Sequence, residues 1–108
     1  MGKFIYGTAA NSVEIDDRAL AHLRIVVMTK LRRSESFMFD VVMSDGSGRR
    51  SFWLNPAVAM HFQFFGSRPP RINRTWVEDL MAAASGPNGL MITPEPVDAA
   101  IEAVAAVS

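Results

Sequence analysis

The sequence predicts an α+β fold, a curved antiparallel sheet in the order β-β-α-β-β-β-α-β with two helices packed on one face. Two stretches within residues 1–96 carry apolar side chains at helical spacing, against six short β-like runs. Between residues 36 and 65 three such runs follow one another with no helix between them. They must therefore turn back on themselves rather than build a doubly wound parallel sheet. The chain has 108 residues, 49% hydrophobic and 20% charged, the make-up of one globular domain.

Lys3-Phe4-Ile5-Tyr6 is a short β-like run ended by Gly7, and Val13-Glu14-Ile15 alternates as a half-buried strand should; the two form an opening hairpin. Asp16 or Asp17 then caps a helix over 17–32, where an acid also suits the positive end of the helix dipole. On that helix Leu20, Leu23, Val27 and Leu31 share one face, and Arg18, His22, Thr29, Arg32 and Arg33 fall on the opposite, polar side. Residues 36–44 read as a strand, Asp45-Gly46-Ser47-Gly48 as a hairpin turn, and residues 49–54 as the returning strand. Asn55-Pro56 breaks the run, and residues 57–65 form a further strand closed by Gly66, giving a three-stranded antiparallel meander.

Residues 67–73 form a loop stiffened by Pro69 and Pro70. Asn73 or Thr75 caps a second helix running to about Ser85, with Trp76, Leu80, Ala83 and Ala84 on one face. Residues 90–93 make a last strand, and Pro94-Glu95-Pro96 marks the end of the domain at residue 96. Residues 97–108 are an Ala-rich tail with Val97, Ile101 and Val104 at helical spacing.

Several function classes are excluded or weakened by composition. The absence of cysteine removes disulfides, thiolate zinc, iron–sulfur ligation and thiol catalysis. No phosphate-binding G-x-x-x-x-G-K-[ST] or G-x-G-x-x-G run occurs, and neither His22 nor His61 lies in a hydrolase motif. His61 reads as a partly buried strand histidine. Glu14, Asp16 and Asp17 could hold a metal, but a helix cap explains the two aspartates more simply. No cofactor is expected. No window is long and apolar enough to span a membrane, the start lacks a secretory h-region, and Gly2 fails the myristoylation pattern at Tyr6, so a cytoplasmic protein is expected.

The arginines carry the most suggestive pattern. Eleven basic and eleven acidic residues balance overall, yet residues 1–74 hold every basic residue against six acids, and residues 75–108 hold five acids and no base. The halves are thus +5 and −5, a polarity consistent with one anion-facing side or with ordinary surface solvation. Arg18, Arg32 and Arg33 lie on the first helix, and Arg68, Arg71 and Arg74 ring the proline loop leading into the second. Guanidinium groups suit phosphate because the planar fork donates two hydrogen bonds at once, and Arg74 adds to a helix N-terminus. Trp53, Phe62 and Phe64 could offer faces for stacking bases, although Phe62, Phe64 and Trp76 fit a core better.

The segments Met1-Gly2-Lys3-Phe4-Ile5-Tyr6-Gly7, Asp16-Asp17-Arg18-Ala19-Leu20-Ala21-His22-Leu23 and Lys30-Leu31-Arg32-Arg33-Ser34-Glu35-Ser36-Phe37 belong to a distinctive set. With them go Trp53-Leu54-Asn55-Pro56, Phe65-Gly66-Ser67-Arg68-Pro69-Pro70, Ile72-Asn73-Arg74 and Pro94-Glu95-Pro96. Over residues 1–96 the chain resembles a family of small actinobacterial proteins labelled ATP-dependent DNA ligase or DNA ligase-like. The resemblance implies an association with DNA-ligation or repair machinery and carries over no catalytic residue. A ligase of that kind needs a nucleophilic lysine in K-x-D-G. Lys3 and Lys30, the two lysines, are followed by Phe-Ile-Tyr and Leu-Arg-Arg, and the chain is too short to hold a nucleotidyltransferase domain plus a closing domain.

The leading expectation is therefore a non-catalytic binding module whose basic face, through Arg18, Arg32, Arg33, Arg68, Arg71 and Arg74, meets a nucleic-acid backbone. The alternatives are a protein-interaction or homo-oligomerisation module and, least favoured, an adenylating ligase.

Overall fold

The computed structural model describes residues 1–43 and 45–98. The alanine-rich segment read as a helical tail lies, from residue 99 onward, outside the described residues. The elements are β1 (Gly2–Tyr6), β2 (Ser12–Ile15), α1 (Asp17–Arg32), β3 (Phe37–Val42), β4 (Arg49–Leu54), β5 (Met60–Gln63), α2 (Arg74–Ala84) and β6 (Leu90–Met91). A 3-10 turn at Ala9–Asn11 joins β1 to β2. The class is α+β, and the element order is the one the sequence predicts.

The strands divide into two three-stranded sheets, β2-β1-β5 and β4-β3-β6. β1 pairs antiparallel with both neighbours, Phe4 facing Val13 on one side and Phe62 on the other. β3 pairs antiparallel with β4, with Met38 opposite Trp53 and Phe39 opposite Phe52, and parallel with β6.

The expected meander through residues 57–65 is therefore corrected: β5 leaves β4 and joins β1. The crossing point explains why. The Tyr6 hydroxyl donates to the Trp53 carbonyl at 2.6 Å and accepts from the Asn55 backbone N–H at 3.2 Å, so the chain after β4 is tied to the end of β1. Pro56 carries no N–H with which to continue a ladder. Gly7 N–H then donates to the Ala59 carbonyl at 2.8 Å, starting the new pairing on β1's free edge. Proximity in sequence was the reason to expect a meander, and it gives way to the edge that β2 left open.

Alternation decides what each strand buries. Phe37, Phe39 and Val41 face inward on β3, Phe52 and Leu54 on β4, and Val13 and Ile15 on β2. Phe4 is the junction of the two sheets, its ring 5.6 Å from Phe39 and 5.8 Å from Phe52, both edge-on, and 5.3 Å from Phe62. α1 lies against β1, α2 against β3 and β6, and the helices touch each other. Leu20, Leu23, Val26 and Val27 of α1 and Trp76, Leu80 and Ala84 of α2 complete a single core.

Two glycines are fixed by close approach. A Cβ on Gly2 would sit 2.6 Å from the Gln63 carbonyl and 2.7 Å from Leu20, so the N-terminal strand can slide under α1 only without a side chain. Gly89 has φ +77°, and a Cβ there would meet the Met38 carbonyl at 2.6 Å, so it sets β6 beside β3. Among the described residues no helix is long and apolar enough to cross a membrane.

Candidate functional site

α1 begins with both aspartates occupied. Asp16 caps the helix by accepting from Ala19 N–H at 3.3 Å. Asp17 accepts from the backbone N–H groups of Phe65 at 3.0 Å and Gly66 at 2.9 Å, which hold its carboxyl below the ordinary aspartate value. Asp17 thus pins the start of the 64–72 loop to the helix. Of the two aspartates, Asp16 alone is the cap, and no group of three or more potential metal ligands exists among the described residues.

His22 is not on a polar face. It is fully buried where α2 covers α1, its ring centroid 4.6 Å from that of Trp76. Its Nε2 accepts from Asn73 N–H at 2.8 Å, which leaves Nδ1 as the donor to the Arg18 carbonyl at 2.7 Å. Nε2 holds the entrance of α2, and Nδ1 is spent on the Arg18 carbonyl one turn back in α1. His61, expected to be partly buried, is exposed on β5 opposite Ile5.

Asn73 caps α2 by accepting from Trp76 N–H at 3.2 Å and donates its amide to the Pro96 carbonyl at 2.8 Å and to Glu95 at 3.0 Å. Arg18 belongs to the same cluster. Its Nε and a terminal nitrogen grip the Glu95 carboxylate at 2.6 Å each, and the other terminal nitrogen donates to the Arg71 carbonyl at 2.8 Å. The Arg18 guanidinium and the Asn73 amide bring the Glu95 carboxyl down to about 2, and Glu95 in turn raises Arg18. Arg18, one of the six arginines expected to meet a ligand, is instead a clasp between α1, the proline loop and the chain after β6.

The other five are exposed: Arg32 and Arg33 at the C-terminal end of α1, Arg68 and Arg71 on the proline loop, and Arg74 at the start of α2. Among the described residues their side chains make no hydrogen bond or ion pair, and the same holds for Arg24. They do not all converge. Arg33, Arg71 and Arg74 lie outside the two clefts that flank α1, whereas Arg68 and Arg32 line one each.

The first cleft, about 470 Å³, runs between α1 and the 64–72 loop, with Ala21, Arg24, Ile25, Phe64, Arg68 and Ile72 in its walls. The second, about 410 Å³, lies between α1 and β5, with Arg24, Met28, Arg32, Val58, Met60 and Phe62. Arg24 is common to both, and neither cleft has a carboxylate in its walls. Each is mainly apolar with guanidinium groups beside the apolar surface.

The sequence reading left Arg24 out of the site. Its signal was present: Ala21, Arg24, Ile25, Met28 and Arg32 fall within a sector of about 100° on α1. Centring the helix on its buried leucines turns attention to the side of Arg18 and away from this cleft-lining sector. Phe62 and Phe64 lie half-buried against the core, Trp76 is within it, and Trp53 stands 56% exposed on the far face of β4.

Lys30 is buried and committed, its Nζ donating to Ser85 Oγ at 2.6 Å and pairing with Glu35 at 3.2 Å. It joins the C-terminal ends of the two helices. Asp45-Gly46-Ser47-Gly48 is a turn, with both glycines at positive φ and Asp45 accepting from Ser47 N–H at 2.9 Å.

Neither the curated proteins nor the solved structures include a match to the chain. Residues 1–95 match the family described as a domain of unknown function, DUF7882. This span takes in every described element, the Arg18–Glu95 clasp and both clefts, and the chain belongs to that domain family.

Proposed function

We propose that the protein is a non-catalytic binding module whose arginine-bearing clefts along α1 take the backbone of a nucleic acid. The observation that carries this reading is the pair of adjoining clefts lined by Arg24, Arg32 and Arg68 with no carboxylate among their walls. Unpaired guanidinium groups bind phosphate by two-point hydrogen bonding and by release of condensed counterions. Contacts of this kind hold a chain without reading its sequence. Arg33, Arg71 and Arg74, exposed on either side, extend the positive potential. Such a module would work in the cytoplasm.

An adenylating activity is disfavoured on the residues themselves. Lys30 is buried and held by Ser85 and Glu35, and Lys3 sits in β1 with no adjoining K-x-D-G sequence. His22 has no free ring nitrogen to act as a base. Incubation with labelled ATP and a denaturing gel checks this; a covalent adenylate would restore the ligase reading.

A mobility-shift titration tests binding, with Arg32→Glu/Arg33→Glu and Arg24→Glu/Arg68→Glu as charge-reversed controls. The parent should shift the oligonucleotide with an affinity that falls steeply as salt rises, and the controls should lose the shift. Equal behaviour of parent and controls would refute the proposal.

A second reading rests on another surface. Trp53 and its cross-strand partner Met38 are exposed on the outer face of β4 and β3, and Met91 and Ile92 are exposed on and after β6. This apolar face suits association with a second copy. Light scattering with Trp53→Lys distinguishes a dimer from a monomer.

A further inference from the structure

Resting on the nucleic-acid reading, we infer that the ligand is a single strand and that the two clefts along α1 each seat an unstacked base, with Arg24 between them. The clefts are concave and mainly apolar, and half-buried Phe64 and Phe62 stand in the wall of the first and the second. A duplex offers a ridge of phosphates with its bases stacked inside, which leaves such apolar hollows unfilled. An unstacked base supplies an apolar face for them and a polar edge for the arginines.

Spacing points the same way. On α1 the first cleft is met by Ala21, Arg24 and Ile25 and the second by Arg24, Val27, Met28, Leu31 and Arg32. Their centres are about 8 Å apart along the axis at 1.5 Å per residue. Bases along a duplex strand repeat every 3.4 Å. Neighbouring bases can reach both clefts only when they are splayed, as a single strand permits. Arg24, shared by the two clefts, is placed for the intervening phosphate, with Arg68 and Arg32 in the cleft walls for the phosphates that flank it. The volumes of about 470 and 410 Å³ lie in the range of sites that enclose small organic groups.

The experiment is fluorescence anisotropy of the full chain with three labelled probes of equal length: oligothymidylate, the same backbone with abasic sites throughout, and a duplex. Oligothymidylate should bind at least about tenfold tighter than the abasic strand, the loss expected when stacked bases are removed. Met28→Asp, on the exposed side of the second cleft, should weaken oligothymidylate far more than the abasic strand. Arg24→Glu should weaken both. Circular dichroism of each variant confirms that the fold is retained.

Equal binding of oligothymidylate and the abasic strand, with loss in Arg24→Glu, would overturn base seating and leave the backbone reading in place. Duplex binding as tight as single-strand binding would do the same. Competition by polyglutamate at equal charge would show a site for any polyanion, acidic protein segments included, and overturn the inference. Binding of none of the probes would remove both readings together.

Discussion

Arg18 shows how a residue's charge can be spent before any ligand arrives. Its guanidinium saturates the Glu95 carboxylate and the Arg71 carbonyl, so it holds residues 71 and 95 against the start of α1. Because the Glu95 carboxyl falls from 4.5 in the unfolded chain to about 2, its contribution is fully present above the unfolded value and is lost as pH drops through the folded one. Glu95→Gln should therefore lower Tm at neutral pH, and the gap to the parent should close between about pH 4.5 and pH 2. Thermal melts at stepped pH measure it; a gap independent of pH would show that the clasp does not act through the carboxylate's charge.

His22 makes a parallel case for a buried neutral group. Replacing it with Leu preserves bulk against Trp76 but leaves Asn73 N–H unpaired inside the core. The expected loss is about 1–3 kcal/mol by urea denaturation, the cost of an orphaned buried donor. None of this was legible in the sequence, where His22 counted with the polar face. A period of 3.6 locates an apolar stripe, but it cannot say that a second helix will cover the adjoining stripe as well.

At the scale of elements, α1, α2 and all six strands could be read from spacing, caps and breakers, α1 to its terminal residues at Asp17 and Arg32. These signals are local, and local chemistry fixes them: Asp16 and Asn73 each satisfy a helix N-terminus with their own side chain. The partner of β5 was not legible, because it depends on the Tyr6 hydroxyl meeting residues 53 and 55, far along the chain. Tyr6→Phe should accordingly destabilise the junction of the two sheets by about 1 kcal/mol, the net value of the hydroxyl's hydrogen bonds. Faster hydrogen exchange at Gly7 N–H, which leads into β5, would accompany the change. Gly89→Ala should cost more, about 2 kcal/mol or above, since a positive φ and a clash with Met38 act together.

At the scale of the molecule, a net charge of zero conceals where the charges sit. Of the acids near α1, Glu95 is paired with Arg18 and Glu35 with Lys30, while Asp16 and Asp17 stay ionised and turn their oxygens to the helix cap and the 65–66 backbone. Arg24, Arg32 and Arg68 make no ion pair among the described residues and stand around two apolar hollows. Local potential, rather than net charge, sets the attraction for an anionic chain. If these three guanidinium groups each neutralise one phosphate on a single strand, log Kd should rise with log salt at a slope of about 2, from roughly 0.7 per phosphate. Arg24→Gln should reduce the slope by about 0.7, and Arg18→Gln should leave it unchanged while lowering Tm, because the Arg18 charge is already paired. A slope that Arg18→Gln reduces as much as Arg24→Gln would show the clasp opening to the ligand and would place the contact surface at the N-terminal end of α1.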